Sequence, residues 1–159
     1  MSEVERIRDQ FERAFNGEAW HGPSVLALLD GVTAEQAGAH PIPGAHSIWE
    51  LTLHIAAWED ACRRRLEGDP AELREEENFP PITDTSQAAW EDAKRKLIKL
   101  HNQLLVAITA TDDSRLDQPI INNAETASAY VTLHGGVQHS LYHAGQIAIL
   151  KKAIESVAS

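Results

Sequence analysis

Ser47-Ile48-Trp49-Glu50-Leu51-Thr52-Leu53-His54-Ile55-Ala56-Ala57-Trp58-Glu59 carries the best-marked helix start in the chain. Ser47 stands three residues ahead of Glu50, the spacing of a capping box: the hydroxyl accepts from the N3 amide and the carboxylate reaches back to the N-cap amide. From there Ile48, Leu51, Ile55, Trp58, Cys62 and Leu66 form one apolar stripe, and Gly68-Asp69-Pro70 closes the segment. Towards the N-terminus, Val4, Ile7, Phe11 and Phe15 recur at helical spacing between Ser2 and Asn16, with Gly17 ending the run. The stretch from Trp20 to Pro43 reads as irregular. It contains Gly22-Pro23, a short apolar piece from Val25 to Leu29, and a helix start at Thr33-Ala34-Glu35-Gln36.

Beyond the marked helix an acidic connector leads to Phe79-Pro80-Pro81, which cannot be helix interior. A third long helix is predicted from near Asp84–Ser86 to about Thr111, with Trp90, Leu97, Leu104 and Ile108 turned inward. The polar stretch Asp112 to Glu125, with Pro119 and Asn122-Asn123, reads as a loop, and a fourth helix is predicted from about Thr126 to near Val157. No stretch alternates as a strand would, and neither an internal repeat nor a low-complexity segment is visible. The expectation is all-α: a four-helix bundle with long irregular connections, one domain over residues 1–159. Bundles build their sites between side chains on facing helices.

Composition narrows the possible partners. Lys and Arg number 14 against 24 Asp and Glu, a net charge of −10, so no basic face is supplied for nucleic acid or for an anionic membrane surface. A single Cys forms no internal disulfide and points to a reducing compartment, here read as the cytoplasm. The start Met1-Ser2-Glu3-Val4-Glu5 lacks the basic and apolar regions of a secretory signal, and no apolar run approaches the roughly 20 residues that span a bilayer. The chain carries 8 His beside that one thiol, so a transition metal would have to be bound through nitrogen and oxygen.

Helical geometry sorts the histidines. His139-Ser140-Leu141-Tyr142-His143 places two imidazoles at i, i+4, roughly 40° apart around a helix and one turn apart along it, as in zinc sites built on HxxxH. Surface or capping roles compete with this reading for an isolated pair. The same face continues through Thr132, Gly136 and Gln146, a small and weakly polar strip suited to a cavity wall. His54 lies inside the capped helix beside Leu51, Ile55 and Trp58; a satisfied core histidine is the competing account. Together His54, His139 and His143 make an N3 set with positions left open, the arrangement of a catalytic zinc site. His134, nine residues before His143, faces the other way, and His21, His40 and His46 fall in loops or before a cap. His101, on the apolar side of the third helix, is the one further candidate, with core packing as its alternative.

The blocks Ser47–Glu59 and Gln138-His139-Ser140-Leu141-Tyr142-His143-Ala144-Gly145-Gln146-Ile147 resemble the two signature blocks of the DinB-like (DinB/YfiT) superfamily. The resemblance covers nearly the whole chain. It implies a four-helix bundle, commonly a homodimer, that holds a divalent metal, usually zinc or nickel, with one His from the second long helix and two from the fourth. By position these are His54, His139 and His143. Characterised relatives include S-transferases and an isomerase that depend on a low-molecular-weight thiol, and the metal could equally lower the pKa of a bound water to about 7. The expectation is a metal-dependent enzyme acting on a small molecule, either a hydrolase or a low-molecular-weight-thiol S-transferase. The alternative is a non-catalytic metal-binding or scaffold protein.

Around this triad, several side chains could serve the site. Glu50, one turn before His54, could orient its ring or act as base, although the capping box accounts for it more simply. Trp58 could wall a pocket, Thr132 lies on the site face, and Gln146 could bond substrate, a ligand water or the neighbouring helix. Cys62 reads as a small buried hydrophobe, so a reacting thiol would arrive with a cosubstrate. Gly135, Gly136 and Gly145 cost about 1 kcal/mol each inside a helix relative to Ala. Either close helix packing or room above the metal could account for them.

Overall fold

The computed structural model describes residues 1–158. Its elements are α1 (Glu3–Phe15), α2 (Val25–Leu29), α3 (Ala34–Gly38), α4 (Ile48–Leu66), α5 (Glu75–Asn78), α6 (Gln87–Thr109) and α7 (Ala129–Ala158), with one 3-10 turn at Asp113–Arg115 and no strand among the described residues. The four long helices form a ring: α4 packs on α6 and α7, and α1 packs on the same two from the opposite side. The all-α bundle with long connections is therefore the fold. The short helices α2 and α3 occur where the sequence shows an apolar piece and a helix start, and they cover one end of the bundle.

Local chemistry sets most helix starts. Ser47 Oγ accepts from the Glu50 amide at 3.1 Å, and Glu50 Oε2 accepts from the Ser47 amide at 2.7 Å, completing the capping box. A second box joins Ser2 and Glu5 at the head of α1. There the Asp113 carboxylate also accepts from the Glu3 and Val4 amides at 3.0 and 2.9 Å. Two orphan donors of α1 are thus satisfied from the far side of the sequence.

Two boundaries differ from the sequence expectation. The acidic connector contains the one-turn helix α5, which has no apolar stripe to announce it and is closed by Glu77 Oε2 accepting from the Arg74 amide at 3.0 Å. Helix α7 begins at Ala129, not near Thr126, because Thr126 Oγ1 donates back to the Asn123 carbonyl at 2.7 Å. The Ala129 and Tyr130 amides then donate to the Gln118 and Leu116 carbonyls, both at 2.9 Å, while Ser128 Oγ accepts from Val131 at 3.2 Å.

The core divides into two apolar clusters. One gathers Trp49, Leu51, Ile55, Trp90, Leu97 and Ile147 under α2 and α3; the other gathers Val4, Ile7, Phe11, Cys62, Leu104 and Leu133. Between them lie Glu59, His101 and Ser140, each 3% exposed. On α4, Glu59 falls between Ile55 and Cys62; on α6, His101 falls between Leu97 and Leu104; on α7, Ser140 falls between Val137 and Ala144. His101 Nδ1 meets Glu59 Oε2 at 3.0 Å, and Ser140 Oγ donates to Glu59 Oε1 at 3.3 Å. The His101 ring also stacks on Phe15 of α1, centroids 3.6 Å apart. A polar group this deep is tolerated only when its hydrogen-bonding capacity is met, as it is here.

His101→Ala should lower the unfolding free energy by about 3–5 kcal/mol, because one partner of a buried pair is stranded. Replacing Glu59 and His101 together by Leu should cost much less. Urea denaturation measures both, and equal losses in the two proteins would assign the cost to packing alone.

Candidate metal centre

His54 projects from α4, and His139 and His143 from α7, into the space between those helices. His139 Nε2 stands 3.1 Å from His54 Nε2 and 3.1 Å from His143 Nε2. The three ligand atoms all lie within 4.8 Å of one another. An ion bound about 2.0–2.1 Å from two imidazole nitrogens separates them by about 2.9–3.4 Å as the angle at the ion opens from 90° to tetrahedral. Two of the three separations therefore match ligands of one ion, and the three histidines could bind a divalent metal.

The far side of the rings supports this. His54 Nδ1 donates to the Asn78 carbonyl at 2.9 Å, which leaves Nε2 as a bare lone pair turned inward. His143 Nδ1 pairs with Gln146 Oε1 at 2.6 Å, so its Nε2 is bare as well. A proton on His139 Nε2 can serve only one of these two neighbours. Three converging acceptors with at most one proton among them match a cation better than they match each other. Three nitrogens also leave a fourth position of a tetrahedral ion open.

Aromatic packing holds the rings in place. Phe79 stacks on His54 at 4.1 Å and on His46 at 4.0 Å, so Phe79 is the middle ring of a three-ring stack with His54 at its buried end. Trp58 meets His54 edge-on, and its Nε1 donates to Asn78 Oδ1 at 2.7 Å, fixing the residue whose carbonyl orients His54. The centre opens onto a cavity of about 490 Å³ whose walls include Phe11, Trp58, Cys62, Thr132, Gly136 and Tyr142, with Glu59 also reaching it.

The other sequence candidates separate cleanly. Trp58 and Thr132 line the cavity, and Gln146 orients His143. Glu50 does not reach His54; its carboxylate is occupied by the cap and by His40 and His46, at 3.1 and 3.4 Å. His101 is engaged with Glu59 and Phe15 and does not line the cavity. Asn78, Phe79, Phe11 and Tyr142 were not among the sequence candidates. Asn78 acts through a backbone carbonyl, which has no sequence signature, whereas Tyr142 stands inside the His139–His143 block. Gly136 is explained by packing, since a Cβ there would lie 2.8 Å from the Phe11 ring.

Burial lowers the pKa of all three rings. His139 falls to about 4, chiefly through burial and then through the proximity of His143 and His54. His54 and His143 are likewise pushed down mainly by burial, opposed by their bonds to Asn78 and Gln146. Neutral imidazole is the ligating form, so this lowering leaves the rings available to a metal at lower pH than an exposed imidazole would be. Burial raises the Cys62 thiol to about 11, which makes it a poor nucleophile at neutral pH.

The bundle and its buried three-His group fit a metal-binding helical protein. The chain belongs to the DinB superfamily, whose family profile matches residues 19–147. No curated protein and no solved structure matches the chain at a significant level.

Two outcomes follow from this geometry. In the metal-free protein, the unfolded chain takes up protons first as the pH falls from 6.5 towards 4, because the folded pKa values lie lower. Thermal stability should therefore be insensitive to these rings above pH 6.5 and decline below it, and His139→Gln should flatten that decline. Gln146→Leu, which frees His143 Nδ1, should weaken zinc binding about 10- to 100-fold by competition with a chelating dye.

Proposed function

We propose that the chain is a divalent-metal-dependent enzyme, a hydrolase or a low-molecular-weight-thiol S-transferase, that turns over a small molecule in the cavity between α4 and α7. The observation that carries this reading is the convergence of three imidazole Nε2 atoms, 3.1 Å apart in successive pairs, on the wall of a largely apolar cavity. A nitrogen-only ligand set favours zinc or nickel. Such an ion supplies Lewis acidity, which makes water or an incoming thiol an effective nucleophile near neutral pH.

The chain's own residues have separable roles. His54, His139 and His143 hold the ion, and Asn78 and Gln146 fix two of the rings in the ligating tautomer. Phe11, Trp58 and Tyr142 shape a largely apolar space that receives the apolar part of a substrate. The buried Cys62, with its thiol near 11, leaves the nucleophile to come from water or from a thiol cosubstrate. Residues 1–159 act as one domain, in the cytoplasm, as a homodimer.

A non-catalytic metal-binding scaffold draws on the same histidines, since an ion there would tie α4 to α7. The two readings part at turnover. The protein should bind one zinc or nickel per chain, and His54→Ala and His143→Ala should each lose it, as measured by elemental analysis after dialysis. Metal-loaded protein screened against ester and amide hydrolysis and against thiol conjugation should turn over one class, at least 100-fold faster than His143→Ala. Unchanged metal content in both variants overturns the site. Metal-dependent stabilisation with no turnover leaves the scaffold.

A further inference from the structure

Three arginines in a row, Arg63-Arg64-Arg65, stand in the last turn of α4, where the helix dipole favours cations. The first two are neutralised locally: Arg63 pairs with Asp60 and with Glu67, and Arg64 with Asp69, each at 2.7 Å. Arg65 meets no carboxylate among the described residues. Its Nε donates to the Pro70 carbonyl at 3.1 Å and its Nη2 to the Ala71 carbonyl at 3.3 Å. These two bonds occupy one edge of the guanidinium and hold it in place. The end-on edge, Nη1 and Nη2, keeps an N–H on each nitrogen.

The turn that supplies these carbonyls is itself unusual. Ala71 has φ 46°, the one positive value at a non-glycine residue among the described residues, and it is buried. An L-residue adopts this conformation only at a cost. Asp69 secures it, with Oδ1 accepting from the Ala71 amide at 2.9 Å while Oδ2 takes Arg64. Glu67 and Asp69, the acids of this turn, are thereby engaged by Arg63 and Arg64, and Arg65 keeps its charge.

That charge stands at the three-His cavity. His54, Trp58 and Arg65 follow one face of α4, within about 40° of one another around the helix, and all three line the cavity. The guanidinium carbon lies 5.4 Å from the centre of the Trp58 ring, and the Trp58 and His139 rings lie 5.7 Å apart. Trp58 therefore adjoins both a histidine of the candidate centre and the guanidinium. The other charged side chain of the wall, Glu59, has one oxygen on His101 and the other on Ser140.

We propose that the cavity takes a small organic acid, whose carboxylate is received by Arg65 while its apolar stem lies against Trp58 and its reacting group reaches the three histidines. The placing of the reacting group rests on the metal-dependent reading; the carboxylate site does not. A planar carboxylate matches the two parallel N–H groups of the free edge, a geometry that a guanidinium provides and an ammonium does not. Charge complementarity agrees. With Glu59 engaged, Arg65 makes the cavity locally electropositive on a chain of net charge −10, and an ion held by the histidines would add to it. A neutral ligand would cover the guanidinium without pairing it, whereas an acid pairs it.

Two sets of probes test this by titration calorimetry. The first is ω-mercapto acids, from mercaptopropionate to ω-mercaptooctanoate, against ω-mercapto alcohols of the same length, with zinc-loaded protein. The second is phenylbutyrate against phenylbutanol with the metal-free protein, which puts the same question to Arg65 without the ion. In each set the best acid should bind about tenfold tighter than its alcohol. Arg65→Met, which keeps the stem on Trp58, should abolish the preference with helical content and zinc content kept, and Arg65→Lys should restore only part of it. Equal affinity for acids and alcohols in both sets, or a preference that Arg65→Met leaves intact, would overturn the proposal. A protein that takes up no zinc yet keeps an Arg65-dependent preference for phenylbutyrate supports the carboxylate site and overturns the metal reading alone.

Discussion

Glu59 lies between α4, α6 and α7 with one carboxylate oxygen on His101 and the other on Ser140. Two apolar clusters flank this layer, and neither could tolerate an unpaired carboxylate. Apolar side chains can slide along a helix groove by small amounts at modest cost. A buried carboxylate cannot, because its partners must stay within hydrogen-bond reach. The layer therefore sets the axial register of the three longest helices against one another. Once Glu59 and Ser140 are level, His54 on α4 faces His139 and His143 on α7, since Ser140 is the residue after His139 and His54 stands five residues before Glu59.

Register alone would leave the imidazoles free to rotate. Their orientation comes from a second tier of contacts: the Asn78 carbonyl on His54, the Gln146 side chain on His143, and the Phe79 ring stacked on His54. Two of these three belong to the connector between α4 and α6. That connector would otherwise read as a solvated acidic tether; the one-turn helix α5 brings its Asn78 against the site. Holding the ring tautomers from outside is how metal ligands gain basicity and fixed direction. The same burial that lowers their pKa values keeps them neutral, the form in which an imidazole can ligate a metal.

Helix α7 serves three surfaces at once. One face closes the core through Leu133, Val137, Ile147 and Leu150, a second carries His139 and His143, and a third looks outward without charge. This triple use explains why its sequence lacks the clear two-sided pattern of α1, where a single buried stripe suffices. Gly136 belongs to the first demand, pressed by Phe11. Gly135 and Gly145 have no such neighbour within the chain.

What was legible in the sequence was what depends on neighbours a few residues away. The Ser47–Glu50 capping box, the inward stripes of α1 and α6, and the His139–His143 pair are all i, i+3 or i, i+4 relations, and the 3.6-residue helical period alone determines them. His54 joins that couple in the sequence only as a third imidazole on another helix and through the family likeness, since spacing carries no distance between helices. The tertiary structure decided the rest. His54 meets His139 across 85 residues, His101 meets Glu59 across 42, and the Asn78 carbonyl reaches His54 across 24. It also withdrew Glu50 from the site, by bringing His40 to a carboxylate that the cap had already engaged, and turned His101 from a candidate into a partner of Glu59. Contacts of that length exist only once the helices have docked, because no local periodicity encodes which side chain of a distant helix will stand opposite.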